Sequence, residues 1–367
     1  MSVIIVNATA TRSSGALSIL NQFINNIPQN DIRYYIFIDF ECKCEKKENI
    51  VYVQLNTRNW LKRIWWDRFG LKKWIDKNGL IPDLIISLQN MGVKYNKGIP
   101  QLIYYHQPLP LTDYCFKLYR KSELILLLYK YFYAYFVSYY LRSNSYFVVQ
   151  IPSVKEAFLR KFLVADNQVY VISPAIPNVD YNKVNTVCFQ DDAVHFIYPA
   201  TPFIYKNHIV LLKALQYLKE NNRIIFDKVK IHITLKESDQ RIFGNFIEYS
   251  GIGSSIVFDG TISFEKLLAY YKSMDALLFP SYIESFGLPL LEAAGAGMPI
   301  VVSDLAYAHD VIGEYEGVTY VNCRDETVWA SAIVKICLDR PRFTPFKYNG
   351  KMGWKDFFEL VDRLKIK

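Results

Sequence analysis

The 367-residue sequence contains little cysteine, and its six cysteines form no metal-binding or disulfide pattern. Only Cys42 and Cys44 lie close together, and no Cys-x-x-Cys or Cys/His spacing of the kind that binds zinc occurs. Disulfide frameworks belong to short, cysteine-rich secreted chains, so this long chain is outside that class. We therefore expect a protein of the reducing cytoplasm.

Glycine and proline are also sparse, at 16 and 15 residues, which excludes collagen-like and low-complexity sequence. The opening MSVIIVNATA lacks the basic segment that begins a signal peptide and instead predicts a strand. Hydrophobic residues make up 51% and charged residues 21%, the balance of a globular protein. At about 150 residues per domain, the length predicts two domains.

Positive charge and aromatic residues are abundant, and the charge is unevenly distributed. Residues 1–175 hold 22 Lys/Arg against 12 Asp/Glu, a net charge of +10, whereas residues 176–367 hold 21 against 23, a net charge of −2. Segment 57–77 interleaves seven cations with four tryptophans. We expect the first half to face an anionic partner, which is a membrane surface, a polyphosphate lipid or nucleic acid. Nucleic acid is disfavoured because no RNA-binding motif, helix-turn-helix or zinc finger occurs.

Residues 124–141 carry a single charge, Lys130, and are just long enough to span a bilayer. Recurring tyrosine hydroxyls and the apolar strand predicted directly afterwards argue against a span. We expect peripheral contact with anionic lipid through segments 57–77 and 114–142, with Trp60, Trp65, Trp66 or Trp74 at the interface. The alternative is that these helices are ordinary ones, with core tryptophans and solvated cations.

Short apolar runs alternate with helical patterns along the whole chain, which predicts two α/β domains, each with a doubly wound parallel sheet. We predict an N-terminal domain at 1–175, a C-terminal domain at 176–350, a linker at 174–190 and a final helix within 351–367. Ligands of such sheets bind at the carboxyl ends of the strands. The predicted strands are 3–7, 34–39, 50–54, 83–87, 102–106, 146–150 and 169–173 in the first domain, and 194–199, 228–235, 255–260, 275–280 and 299–303 in the second. Long helices are predicted at 58–78, 114–142 and 238–249.

The most informative segment is FPSYIESFGLPLLEAAGAGMPIVVSD, residues 279–304. A strand leads into a loop that carries Glu284, and a helix begins near Leu288 with Pro289 in its first turn. Free backbone N–H groups and the dipole at this helix start, with Gly287 permitting close approach, predict a diphosphate site. Glu284 and Glu292 flank the site, and carboxylates are suitable acceptors for sugar hydroxyls.

This segment resembles the Glu-x7-Glu motif of retaining glycosyltransferases with the GT-B fold, and almost the whole chain is similar to glycosyltransferase family 4 (glycosyl transferases group 1). VVQIPSVKEAFLRKF (148–162), VYVISPAIPN (169–178) and GWKDFFELV (353–361) resemble further parts of that family. The resemblance implies two Rossmann-like domains facing a central cleft. It also implies that the C-terminal helix crosses back to the first domain.

The resemblance assigns the donor-binding residues. Glu292 would bind the ribose of a nucleotide-diphosphate sugar, and Glu284 would bind the hydroxyls of the sugar. Main-chain amides would meet the sugar and the diphosphate, and the residues concerned are Ser285, Phe286, Gly287 and Leu288.

Lys206 matches the family's phosphate-binding lysine, where a cation neutralises the leaving diphosphate in place of a metal ion. The alternative for Lys206 is a solvated residue at a helix start. The family's usual arginine, five residues earlier, is Thr201 here, so one expected cation is missing. Lys236 or a residue of the first domain is a candidate substitute. Asp310 occupies a position where the family has an acidic residue, and we expect its role to be structural.

Two residues of the first domain match family positions near the transferred sugar. His106 is predicted to end a strand, where it would assist through hydrogen bonding, and the alternative is an ordinary loop histidine. Gly15 matches a glycine in the first strand-to-helix loop, although the family's Gly-Gly doublet is Ser14-Gly15 here.

The resemblance implies a retaining, metal-independent hexosyltransferase without a cofactor. It would move a sugar from a nucleotide-sugar donor to a glycan acceptor, lipid-linked, in cell-surface polysaccharide synthesis, and would lie on the inner face of the cytoplasmic membrane. Two alternatives remain. A sugar-nucleotide epimerase of the same fold would not need the basic first half, and a non-catalytic sugar-nucleotide-binding paralogue would explain Thr201. A pyridoxal phosphate phosphorylase would need a much longer chain.

Overall fold

The computed structural model describes residues 2–12, 14–41, 47–95, 98–118, 121–176, 179–348 and 353–365. The neighbouring cysteines Cys42 and Cys44 and the predicted boundary at 350/351 lie outside these ranges. Contacts divide the chain into unit 1, Met1–Ala175 with Gly350–Lys367, and unit 2, Ile176–Asn349.

Unit 1 is built on a seven-stranded parallel sheet. Its strands are β1 Ser2–Asn7, β2 Ile32–Ile38, β3 Ile50–Gln54, β4 Leu84–Ser87, β5 Gln101–Tyr104, β6 Ser145–Val149 and β7 Val169–Val171. They lie in the order β3-β2-β1-β4-β5-β6-β7, so the strand order reverses between β1 and β4. All four residues of β4 are buried, as expected of a parallel strand covered on both faces.

The helices of unit 1 are α1 Ser14–Asn26, α2 Trp60–Trp65, α3 Leu71–Lys77, α4 Lys121–Tyr140, α5 Pro152–Lys161 and, at the end of the chain, α13 Trp354–Leu364. A π-helical turn, Trp66–Gly70, joins α2 to α3, so the single predicted helix 58–78 is interrupted. The predicted helix 114–142 begins only at Lys121, and α5 was not predicted.

The last helix, α13, packs into the core of unit 1. The Trp354 and Phe357 rings lie 5.8 and 6.0 Å from that of Phe23 in α1. Trp354 also stacks on Tyr104 at 5.7 Å, and its indole N–H donates to the Gln22 side chain at 3.0 Å. The amphipathic C-terminal segment is therefore a structural part of unit 1.

Unit 2 is built on a six-stranded parallel sheet in the order β10-β9-β8-β11-β12-β13, which reverses between β8 and β11. Its strands are β8 Val194–Tyr198, β9 Val229–Ile233, β10 Ile256–Phe258, β11 Ala276–Phe279, β12 Ile300–Ser303 and β13 Val318–Val321. Its helices are α6 His208–Asn221, α7 Arg223–Phe226, α8 Phe246–Ser250, α9 Phe264–Ser273, α10 Leu288–Gly295, α11 Ala306–Ile312 and α12 Glu326–Asp339.

The prediction of two parallel α/β units is confirmed. The predicted helix 238–249 is wrong, because a 3-10 segment, Glu237–Phe243, precedes α8 and Gly244 separates them with a φ of 59°. That left-handed backbone favours glycine and cannot continue an α-helix. Sequence periodicity also missed β13 and the helices α11 and α12.

Candidate functional site

The site predicted in the second domain lies at the switch point of the unit 2 sheet. β8 ends at Tyr198 and β11 ends at Phe279, and these two strands are neighbours at the position where the strand order reverses. The loop after β8 leads to Lys206, and the loop after β11 leads to Glu284. Ligands of open α/β sheets bind outside the carboxyl ends of strands at such a reversal.

Backbone and amide hydrogen bonds fix these two loops to each other. The Tyr282 backbone N–H donates to the carbonyl of Tyr205 at 2.8 Å. The Asn207 side-chain amide donates to the carbonyl of Pro280 at 3.1 Å and to that of Cys323, beyond β13, at 2.8 Å. Asn207 adopts a left-handed backbone with a φ of 57°, a conformation that asparagine tolerates better than most residues. Sequence analysis missed Asn207, although it directly follows Lys206.

Lys206 and Glu284 lie in direct contact in unit 2. The ammonium Nζ is 2.6 Å from the carboxylate Oε1, and the side chains are only 16% and 11% exposed. The Tyr198 hydroxyl donates to the main-chain carbonyl of Lys206 at 2.6 Å, which fixes the backbone at the base of the lysine. Two residues predicted separately and 78 positions apart therefore form one charged pair.

The start of α10 has the geometry expected of a close-approach site. Gly287 precedes the helix with a φ of 93°, and an added Cβ would lie 3.1 Å from a methyl group of Leu290. Any other residue would therefore be strained at this position. The side chain of Phe286 is buried and lies near the Tyr348 ring.

Glu292 is half-buried rather than solvated. The Tyr271 hydroxyl donates to its Oε2 at 3.2 Å, and burial raises the pKa of the carboxyl to about 7. The Tyr181 hydroxyl donates to the Glu292 main-chain carbonyl at 2.6 Å. Both tyrosines are distant in sequence, and no local pattern could have identified them.

The position of the missing arginine, Thr201, is exposed, and so is the candidate substitute Lys236. The backbone N–H of Lys236 donates to the carboxylate of Asp239 at 3.1 Å, which fixes the start of the 3-10 segment after β9. Compensation by Lys236 stays a prediction. Asp310 is half-buried within α11. Within the described ranges, no group of three or more His, Cys, Asp or Glu residues is arranged to hold a metal ion.

Of the two predicted residues of unit 1, His106 lies beyond the carboxyl end of β5 and Gly15 lies near the start of α1. His106 lies two residues beyond β5, because the strand ends at Tyr104 rather than at the histidine. Burial lowers the pKa of His106 to about 4, so its ring is neutral near pH 7, and its Nδ1 has no hydrogen-bond partner. Gly15 is exposed near the start of α1, and an added Cβ would meet no atom within 4 Å. The chain's own packing therefore does not require glycine at position 15.

A polar network that sequence analysis missed occupies the switch point of unit 1. Asp67, in the π-helical turn, accepts from the Asn7 amide at 2.8 Å and from the Gln89 amide at 2.9 Å. Asn7 ends β1 and Gln89 follows β4, and the Thr9 hydroxyl donates to the side-chain oxygen Oε1 of Gln89 at 2.9 Å. All four residues are buried, and burial raises the pKa of Asp67 to about 7.

A further feature of unit 1 is a set of exposed apolar side chains on two helical segments, which we call the aromatic face. Its members are 38–62% exposed and are Trp60, Leu61, Trp65, Phe69, Leu124, Ile125, Leu128, Tyr129, Tyr131, Phe132 and Tyr135. The Arg68 guanidinium lies 5.1 Å from the Phe69 ring and 5.4 Å from that of Tyr139, which connects the two segments. In the part of the chain that the structure describes, no helix combines the length and hydropathy of a bilayer span.

The other two tryptophans expected at a membrane are part of the core instead. Trp66 is buried against Phe37 at 5.1 Å, and Trp74 packs on Phe37 and Tyr35 at 4.8 and 5.7 Å. The division falls at the junction of two elements, because Trp65 ends α2 and is exposed, whereas Trp66 begins the π-helical turn and is buried.

Comparison with known proteins shows which family the second half of the chain resembles. Residues 188–352 match the family model described as Glycosyl transferases group 1, and these residues lie almost wholly in unit 2. The chain superposes on a sucrose-phosphate synthase from Thermosynechococcus elongatus with a TM-score of 0.67, 15% identity and coverage of 99% and 98% of the two chains. It superposes on WaaG, a glycosyltransferase involved in lipopolysaccharide biosynthesis, with a TM-score of 0.62, 14% identity and 92% coverage of both chains. The predicted GT-B fold is therefore confirmed, and so is the resemblance to glycosyl transferases group 1 over unit 2.

Curated relatives are similar over shorter segments. The O-antigen chain mannosyltransferase RfbU of Salmonella typhimurium is 27% identical over 188 residues, which cover 50% of this chain and 48% of that relative. A D-inositol 3-phosphate glycosyltransferase of Stackebrandtia nassauensis is 30% identical over 92 residues, 25% of this chain and 21% of the relative. The alignments thus span about half the length of these relatives or less.

Proposed function

We propose that this protein is a retaining glycosyltransferase that moves a hexose from a nucleoside-diphosphate sugar to a glycan acceptor in cell-surface polysaccharide synthesis. The observation that carries the proposal is the Lys206–Glu284 contact at the switch point of unit 2, in the loops that lead to α6 and α10. The family match covers the same unit. The names of RfbU and WaaG support a polysaccharide or lipopolysaccharide product.

The proposed chemistry is the same-face replacement of a diphosphate by an acceptor hydroxyl. The bond between the anomeric carbon and the diphosphate oxygen breaks, the acceptor oxygen bonds to that carbon, and the acceptor proton passes to the departing diphosphate. Lys206 and the amides at the start of α10 stabilise the negative charge that grows on the diphosphate. This cation takes the place of a metal ion, so the proposed reaction is metal-independent.

The remaining residues of the proposed site bind and orient the substrates. Glu284 accepts hydrogen bonds from the hydroxyls of the transferred sugar, and ionised Glu292 accepts them from the ribose. His106, held neutral by burial, can donate or accept a hydrogen bond to the transferred sugar. Gly15 leaves space for the acceptor or donor, because no protein atom occupies the position of its missing Cβ.

We also propose that the acceptor is lipid-linked and that unit 1 docks on the anionic inner face of the cytoplasmic membrane. The aromatic face supplies apolar and tyrosine side chains. Exposed cations lie within α2 and α3 or just before α2: Arg58, Lys62, Lys72, Lys73 and Lys77. A basic helix with tryptophan and leucine on its exposed face is typical of interfacial binding. Flotation with anionic vesicles measures this binding directly.

Incubation with radiolabelled nucleotide sugars, lipid-extract acceptors and excess chelator tests the proposed activity. We expect transfer to persist in chelator, and NMR of the product to show retention of the anomeric configuration. Lys206→Ala should lower kcat by about 10²–10³-fold with a much smaller change in donor KM, because leaving-group charge is greatest in the transition state.

Other outcomes would contradict specific parts of the proposal. An acceptor-independent change of the donor sugar would identify an epimerase, and binding without turnover would identify a non-catalytic paralogue. An inverted product would contradict retention, and an absolute need for magnesium or manganese would contradict metal independence.

A further inference from the structure

The Lys206–Glu284 pair joins two groups for which the proposed function gives separate ligands. The ammonium and the carboxylate are in contact at 2.6 Å. The same ammonium is needed by the donor diphosphate, and the same carboxylate by the donor sugar. The Lys206–Glu284 ion pair therefore has to break or lengthen when a donor binds.

Glu284 forms its ion pair with Lys206. Among the residues that the structure describes, Lys206 is the single cation within ion-pair distance of this carboxylate, and Thr201 is uncharged. Three tyrosines lie near the carboxylate, namely Tyr198, Tyr205 and Tyr307. Burial is the larger cause that raises the pKa of each hydroxyl, and the negative charge of Glu284 is the second cause. Two of them are already donating elsewhere, Tyr198 to the carbonyl of Lys206 and Tyr307 to that of Ser281.

A carboxylate that is 11% exposed and loses its only cation is costly unless other donors replace it. A nucleoside diphosphate attracts Lys206 but brings no group to Glu284. An intact nucleotide sugar attracts Lys206 and also brings sugar hydroxyls that donate to Glu284. The cost of leaving the Glu284 carboxylate without its cation therefore weakens binding of the nucleoside diphosphate product, but it does not weaken binding of the intact donor.

We propose that Lys206 is exchanged between Glu284 and the donor diphosphate, and that this exchange makes the site select the intact nucleotide sugar over the nucleoside diphosphate product. The inference rests on the proposed function, since it requires that the site bind a sugar diphosphate. It assigns to Glu284 a second role, as the group that holds Lys206 until the sugar arrives. Release of the product is then assisted by re-formation of the ion pair.

Isothermal titration with inorganic diphosphate tests the exchange without any assumption about the base or the sugar. Glu284→Gln removes the carboxylate charge and should raise the affinity for inorganic diphosphate by about five- to tenfold, because Lys206 is then free. In a Lys206→Ala background, the same substitution should change that affinity by less than about twofold.

The matched control is Glu292→Gln, which removes a half-buried carboxylate of the same site whose partner is a tyrosine hydroxyl rather than a cation. Glu292→Gln should leave the affinity for inorganic diphosphate within about twofold of the unsubstituted protein. Equal gains from Glu284→Gln with and without Lys206 would show simple charge repulsion and overturn the exchange.

Paired titrations with UDP and UDP-glucose, and with GDP and GDP-mannose, test the selectivity. The unsubstituted protein should bind the sugar nucleotide of its pair more tightly than the diphosphate, and Glu284→Gln should abolish or reverse that order. If both members of a pair gain affinity by the same factor, the exchange is wrong although the donor site is real. If inorganic diphosphate and all four nucleotides fail to bind, the proposed function fails, and the exchange fails with it.

Discussion

The two units share a parallel sheet with one reversal of strand order, but they use its carboxyl edge in opposite ways. In unit 1 the polar side chains at the reversal, including Asn7, Asp67 and Gln89, are buried and bonded to one another. In unit 2 the corresponding groups, Lys206 and Glu284, lie in loops and retain 16% and 11% exposure. The same topology thus supports a closed structural network in one unit and an accessible charged pair in the other.

The two units also differ in charge and in exposed apolar side chains. The N-terminal 175 residues, which form most of unit 1, carry a net charge of +10, whereas the rest of the chain carries −2. Unit 1 also presents the aromatic face, and Asp67 fixes one of its two helical segments to Asn7 at the end of β1 and to Gln89 after β4. We infer that the buried polar groups of unit 1 hold an outward-facing surface in place, while those of unit 2 face a ligand.

The largest expected effect concerns the closed network of unit 1. Asp67 has a folded-state pKa of about 7 against an ordinary value of 3.8, because burial outweighs the hydrogen bonds and the nearby Arg63, which lower it. Between about pH 4 and pH 7 Asp67 is therefore more protonated in the folded state than in the unfolded state. Its contribution to the free energy of unfolding should fall as pH rises through this window, by on the order of 2–4 kcal/mol.

Asp67→Asn isolates this contribution. The asparagine carbonyl can accept from Asn7 and Gln89 as the carboxylate does, but it carries no charge. The Tm of the variant should rise relative to that of the unsubstituted protein as pH increases from 4 to 8, and should exceed it above pH 7. Tyr133 and Tyr140 also lie near Asp67, but their pKa values are raised and they do not titrate in this window. An identical pH slope in both proteins would show that Asp67 is not the responsible group.

The second effect concerns the open site of unit 2. Glu292→Ala should weaken binding of the cognate nucleotide by about 1.5–3 kcal/mol, the loss of a charge-assisted hydrogen-bond acceptor. Since the Glu292 pKa is about 7 in the free protein, nucleotide affinity should rise with pH through that value, and Glu292→Gln should flatten the profile. Glu220→Ala, an exposed carboxylate at the end of α6, is the control and should bind normally. Unchanged calorimetric affinity in Glu292→Ala would remove the ribose assignment.

Local sequence predicted most of the strands, and the family resemblance identified Lys206 and Glu284, but neither predicted that the two side chains pair or which contacts position them. Apolar runs of four to six residues identify buried parallel strands, and the GLP turn marks the start of α10, because these signals are local. The π-helical turn at Trp66–Gly70 and the bonds from Tyr181 and Tyr271 to Glu292 depend on residues 21 to 111 positions apart or on tertiary packing. No sequence period encodes such contacts, and for the same reason Trp66 and Trp74 were wrongly grouped with the exposed tryptophans.

The smallest effect per residue concerns the aromatic face. Each Lys or Arg near an anionic bilayer contributes roughly 1 kcal/mol, and this attraction fades beyond a Debye length of about 8 Å at physiological salt. We expect the protein to float with vesicles that contain anionic lipid, to ignore neutral vesicles, and to be released by salt. Trp60→Ser with Trp65→Ser should weaken flotation strongly, and Lys62→Gln should weaken it about fivefold.

The control for this experiment is Leu163→Ser, because Leu163 is fully exposed in unit 1 but lies outside the aromatic face. Its flotation should match that of the unsubstituted protein, which separates a defined docking surface from general stickiness. Equal loss in the Leu163 and tryptophan variants would indicate non-specific adhesion. Failure to float on anionic vesicles at low ionic strength would refute docking by unit 1, and the acceptor would then be sought among soluble glycans, while the donor site of unit 2 would be unaffected.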